Sequence, residues 1–120
     1  ILAGDIFGAL KNIHKQSFND VDWLSAFADY KVPQILNSLG ILEYSSPLAA
    51  KIKKNILLKQ GNTEEVEIRT ASVVAVRLIS KELLKIKIKK HDFEIDWLLW
   101  NMSKRISMKN RHHLTKTLFY

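Results

Sequence analysis

Three places in this sequence have the residue types that chemistry needs. Asp29-Tyr30-Lys31 sets an acid, a phenol and a cation side by side, directly before Val32-Pro33. Asp96 stands among aromatic and aliphatic residues in Phe93-Glu94-Ile95-Asp96-Trp97-Leu98-Leu99-Trp100, and His112-His113 opens a basic segment that also holds Lys116. A fixed carboxylate can stabilise a growing positive charge or take a proton from water. In an apolar stretch it is costly to bury unless something hydrogen-bonds it, so Asp96 is expected to reach solvent or meet a ligand. For Asp29 the competing role is a common one, a helix N-cap or a surface acid.

Other chemistries lack a signature. There is no cysteine, so disulfides and thiolate metal sites are excluded, and no G-x-S-x-G elbow marks a serine nucleophile. The four glycines form neither a phosphate loop nor a dinucleotide fingerprint, so no cofactor is implied. Adjacent His112 and His113 point apart in most backbones, and His14 and His91 have no partner at ligand spacing, so no metal site is expected. Acids in apolar surroundings, several aromatics and scattered cations suit a flat heterocycle joined to an anionic sugar phosphate.

The elements that must position these groups read as helices. Leu2, Ile6, Leu10 and Ile13 form one stripe of a helix from Ile1 to about Lys15. Asp20 or Asp22 caps a short turn carrying Trp23, Leu24 and Phe27 as core anchors. Pro33 suits the first turn of a helix running to Leu39, with Gly40 as its C′ residue. Its ring disfavours the helical region for Val32, which leaves Asp29-Tyr30-Lys31 on an irregular segment. Ser45-Ser46-Pro47 starts another helix through Leu48, Ala49, Ile52 and as far as Ile56.

This helix–glycine connector–helix order loosely has the form of a helix-hairpin-helix, with Lys51, Lys53 and Lys54 on the exposed side. Gln60-Gly61-Asn62 is a turn, and Thr63 begins a helix to about Leu84, apolar on most sides like the buried centre of a bundle. Within it Glu65 and Arg69 stand at i,i+4 spacing for an ion pair. Lys85 to Lys90 reads as a frayed end or loop, and a last helix starts near Asp92.

At 120 residues the chain is expected to form one helical domain. The apolar fraction of 47% and charged fraction of 26% are those of an ordinary soluble protein. No apolar run reaches the roughly 20 residues of a membrane span, and the lack of cysteine fits a reducing cytoplasm. A net charge of +7 favours anionic partners such as nucleotides or nucleic acid. The sequence opens at Ile1 inside an apolar pattern, and we expect it to be a piece of a longer polypeptide or a chain trimmed at a tag.

Four stretches together resemble the queuosine salvage family, enzymes that hydrolyse queuosine 5′-phosphate to release queuine. They are Phe27-Ala28-Asp29-Tyr30-Lys31-Val32-Pro33-Gln34, Gly40-Ile41-Leu42-Glu43-Tyr44-Ser45, Glu65-Val66-Glu67-Ile68-Arg69 and Ile95-Asp96-Trp97-Leu98-Leu99-Trp100. The segment from His112 to Tyr120 resembles the family's C-terminus, and the motifs stand in the family's order. The family usually has Arg where Lys31, Leu114 and Lys116 stand; lysine keeps the charge but loses a bidentate fork.

The resemblance implies an all-α fold akin to helix-hairpin-helix DNA glycosylases and N-glycosidic hydrolysis. It implies Asp29 as the catalytic carboxylate and Asp96 as acceptor for the donor-rich edge of the base. Trp97, Trp100 and Tyr30 would stack on or wall the base, and Lys31, His112, His113 and Lys116 are candidates for the 5′-phosphate. Only the family's C-terminal portion is covered, so an N-terminal portion, on this polypeptide or a separate one, would supply the other wall. The competing readings are a basic module that binds nucleic acid without chemistry and a glycosylase acting on a flipped base.

Overall fold

A computed structural model describes residues 1–10, 18–108 and 110–118. Five helices carry most of the chain: α1 (Leu2–Leu10), α2 (Lys31–Ser38), α3 (Ser46–Lys53), α4 (Thr63–Lys85) and α5 (Asp92–Arg105). A 3-10 turn spans Val21–Trp23, and β1 (Leu57–Leu58) pairs in parallel with β2 (Leu114–Thr115). The all-α expectation is therefore corrected to mostly helical. Strands of two residues leave no periodicity to read, and their partners lie far apart in sequence.

The core forms where α2, α4 and α5 meet. Val32, Ile35 and Leu36 of α2 pack against Ala75 and Val76 of α4 and against Ile95 and Leu99 of α5. Burying each of the larger aliphatics contributes about 1.5–3 kcal/mol. A smaller cluster of Leu48, Ile52, Leu58 and Ile68, with Tyr44 against it, joins α3 and β1 to the start of α4. Asn62 caps α4, its side-chain oxygen accepting from the Glu65 N–H at 2.8 Å.

Several boundaries differ from the sequence reading, each for a local reason. Helix α2 begins at Lys31 rather than Pro33, because the Asp29 carboxylate caps it from outside. Its other end is as expected, with Gly40 at φ +73° closing the turn. Helix α3 stops at Lys53, so Ile56 lies beyond it. Helix α1 ends at Leu10 among the described residues, and the rest of the stripe, with His14, falls outside them.

Trp23, expected in the core, is 88% exposed, while Leu24 and Phe27 are half-buried. Helix α4 is not buried all round: Glu65, Ile68, Ser72, Ala75 and Val76 face inward, while Val66, Val74, Leu78 and Leu84 are exposed. The lysine face on α3 is thinned, since Lys51 Nζ pairs with Glu64 at 2.7 Å. Among the described residues no helix is long and apolar enough to cross a membrane.

Candidate functional site

The site is built around residues 27–31, where the backbone is bent to serve two carboxylates. The Asp29 Oδ1 accepts from the N–H groups of Lys31 at 2.8 Å and Val32 at 2.9 Å. These donors belong to the first turn of α2 and have no partner within the helix, so Asp29 caps it from one residue further out than usual. The capping role and the candidate chemical role thus fall on one side chain. Oδ1 is engaged, and no described residue bonds Oδ2.

Just before it, Ala28 has φ +49°, the left-handed region that alanine rarely occupies. The conformation turns the N–H groups of Phe27 and Ala28 toward α5. There Asp96 Oδ2 accepts from the Phe27 N–H at 2.9 Å, and the Ala28 N–H also favours its charged form. Asp96 is only 4% exposed. It does not reach open solvent, and the backbone of residues 27–28 takes up part of its hydrogen-bonding capacity. Burial is the main cause that pushes its carboxyl up to about 6, and the nearby Asp29 charge adds to the rise. The two backbone N–H groups oppose both.

The third wall is the segment after α5. Parallel pairing places Leu114 opposite Leu57 and Thr115 opposite Leu58, so the two histidines before β2 lie across the start of α2. The His112 ring tilts against Tyr30 at 4.9 Å between centroids, and Lys31 Nζ lies 5.6 Å from the Tyr30 ring centre. Burial, and then the charge on Lys31, lower the His112 pKa. His113 is 2% exposed and its pKa is lowered chiefly by burial, with Glu65 and Asp29 pulling it back up. Both imidazoles are therefore held toward the neutral form, able to donate from one nitrogen and accept on the other.

Behind His113 stands Glu65, wholly buried, whose carboxylate accepts from the Gly61 N–H at 2.9 Å and pairs with Arg69 Nε at 2.7 Å. The i,i+4 pair expected from the sequence is present, but at the inner face of α4 rather than on its surface. Gln34 ties the same segment to α2, its Nε2 donating to the Asn110 carbonyl at 2.7 Å. A cleft of about 660 Å³, lined by Asn37, Tyr44, Lys53, Asn110 and Arg111 among others, borders this segment.

The structure thus gathers Asp29, Tyr30, Lys31, Asp96, His112 and His113. Trp97 lies elsewhere, half-buried beneath α1: a Cβ on Gly8 would come within 2.9 Å of its ring, and Phe93 meets it edge-on at 5.3 Å. Trp100 is one turn along α5 from Asp96, with Lys104 Nζ 3.3 Å above its ring. Lys116 is exposed just past β2. Glu65, Gln34 and the Ala28 backbone were not among the site residues read from the sequence. A buried acid four residues before an arginine reads the same as a surface pair, and nothing in a sequence marks an alanine with positive φ. Among the described residues no group of three His, Asp or Glu side chains is placed to hold a metal.

Residues 1–120 match the family described as queuosine salvage protein. The queuosine 5′-phosphate N-glycosylase/hydrolase of Sphaerobacter thermophilus is 37% identical over 121 residues, covering 100% of this chain and 38% of that protein. The protein of the same description from Dictyostelium discoideum has the same identity and coverage, and that from Bos taurus is 36% identical over 131 residues. The chain spans about 38% of the length of these relatives.

Proposed function

The chain belongs to the queuosine salvage protein family, and on that premise we propose that it supplies the carboxylate-bearing part of a site that hydrolyses the N-glycosidic bond of queuosine 5′-phosphate. The observation that carries this reading is the position of Asp29: anchored through one oxygen to the start of α2, flanked by Tyr30 and His112, and free of any described partner at the other oxygen. As the C–N bond loosens, positive charge grows on the ribose, and a pre-oriented carboxylate beside C1′ stabilises it without reorganising. The same oxygen takes a proton from the attacking water as the water oxygen bonds C1′, and queuine leaves with the electron pair of the broken C–N bond and takes up that proton.

Asp96 fixes the backbone that aims Asp29, and its remaining lone pairs face the donor-rich edge of the deazaguanine. Tyr30 and Trp100 wall the base, and Trp97 supports that wall from beneath α1. Lys31, His112, His113 and Lys116 serve the 5′-phosphate end, the imidazoles as neutral donors. In this reading the chain is the C-terminal part of a cytoplasmic enzyme with the helix-hairpin-helix glycosylase architecture, and α2, Gly40 and α3 form the hairpin.

The test is incubation of this chain, alone and together with the portion of the Sphaerobacter relative that it does not match, with queuosine 5′-phosphate, following free queuine. Release that depends on Asp29 supports the reading. Release unchanged in Asp29→Asn counts against it. An oligonucleotide that competes better than the mononucleotide points to a base flipped from a polymer instead.

A further inference from the structure

The clearest feature outside the site is the outer flank of α4. Leu78, Ile79, Leu83 and Ile86, with Ile41 from the connector after α2, line an apolar groove of about 520 Å³ whose one charged lining residue is Glu82. Ile79 and Leu83 form the floor, packed on the core. Leu78 is 54% exposed, and Ile41, Val74 and Ile86 are exposed to a similar degree or more. Val74, Leu78 and Ile86 follow one another at one- and two-turn spacing, so they make a continuous stripe rather than scattered apolar residues.

The sequence of α4 is patterned as a central helix, apolar nearly all round, yet only one of its faces is covered. A helix with that pattern is normally enclosed. Some of what encloses it is accounted for by length, since this chain corresponds to 38% of its relatives. The remainder of those proteins has to pack against something, and this stripe is a continuous apolar surface beside the core. A second copy fits the face less well. Each chain carries a net charge of +7, and exposed Lys81 and Lys87 adjoin the lining residues Glu82 and Ile86 in sequence, so two copies would bring like charge together.

We propose that the α4 stripe from Val74 to Ile86 is the docking surface for the polypeptide that makes up the rest of the relatives' length, received as an apolar face with acidic flanks. The proposal rests on the family match and the exposed stripe. It is read by assembly alone, so it stands or falls separately from the hydrolytic reading.

The probe is the portion of the Sphaerobacter thermophilus relative that this chain does not match, co-expressed with the chain and followed by gel filtration with light scattering. A one-to-one complex is expected, with Leu78→Asp weakening it at least tenfold and Leu98→Asp, on an exposed part of α5, leaving it intact. A second experiment avoids any need for the two pieces to fold apart. The intact relative carries this chain in place of its matching portion, with a photo-crosslinking residue at position 78. Crosslinks into the unmatched portion support the proposal. It is overturned if Leu78→Asp assembles as tightly as the parent, if no complex forms and position 78 crosslinks only within residues 1–120, or if the chain alone is a dimer that Leu78→Asp dissolves.

Discussion

Asp29 and Asp96 lie on either side of the same few backbone atoms, and they are held in opposite ways. Asp29 stands at the open end of α2, half-buried, with one oxygen satisfied by helix N–H groups and the other without a bond to any described residue. Asp96 is sealed on α5 and satisfied by the bent segment that leads to Asp29. One acid is presented and the other presents it. Position decides this, since both are aspartates with backbone donors as partners.

The sharpest way to break the comparison is Asp29→Asn. Asparagine caps a helix about as well as aspartate, so stability should change by less than about 1 kcal/mol. The proposed hydrolysis should fall by roughly 10²–10³-fold with the lost charge. Single-turnover release of queuine beside a denaturant midpoint reads both; a large loss of stability with unchanged release would invert the assignment.

Asp96 should show itself in pH dependence. Its folded pKa is raised from 3.8 to about 6, so the folded state binds the proton more tightly than the unfolded chain does. Stability from this group is fully present below about pH 4 and is lost as pH rises through about 6. A shift of this size corresponds to roughly 3 kcal/mol. His113 works in the opposite sense. Its folded pKa is lowered, so stability is lost as pH falls below the ordinary histidine value of about 6.5. The two slopes partly cancel in the parent chain. Thermal unfolding from pH 4 to 7 should therefore steepen toward higher stability at neutral pH in Asp96→Asn, and NMR titration of His113 should place its midpoint below that of a free histidine.

The smallest effect expected is at Ala28. Glycine accepts φ +49° without the alanine penalty, so Ala28→Gly should stabilise the fold by about 0.5–1 kcal/mol, measured by chemical denaturation. A destabilised Ala28→Gly variant would mean that the bend is not strained and that Asp96 does not have to hold it.

Much of this was legible in the sequence, unevenly. Helix positions followed from apolar spacing and punctuation: Pro33 and Gly40 bracket α2, Ser45-Ser46-Pro47 starts α3, and Gly61-Asn62 precedes α4. Asp29, Tyr30, Lys31, Asp96 and the two histidines were picked out by type and by family likeness, and the structure brings them together. What could not be read were the forces acting at a distance. Two-residue strands, the burial of Glu65 and the backbone acceptance by Asp96 depend on which distant segments meet. Trp23 misled for the same reason: its side chain suits a core, but the turn at Val21–Trp23 points it outward.

The parallel ladder joins positions 57 and 114, and that separation has a kinetic consequence. Each helix can form on its own local bonds, whereas the packing of α2 on α5 and the clasp that carries His112 and His113 must both close long loops before any contact rewards them. During refolding, local helical signal should therefore recover before the histidines reach Tyr30.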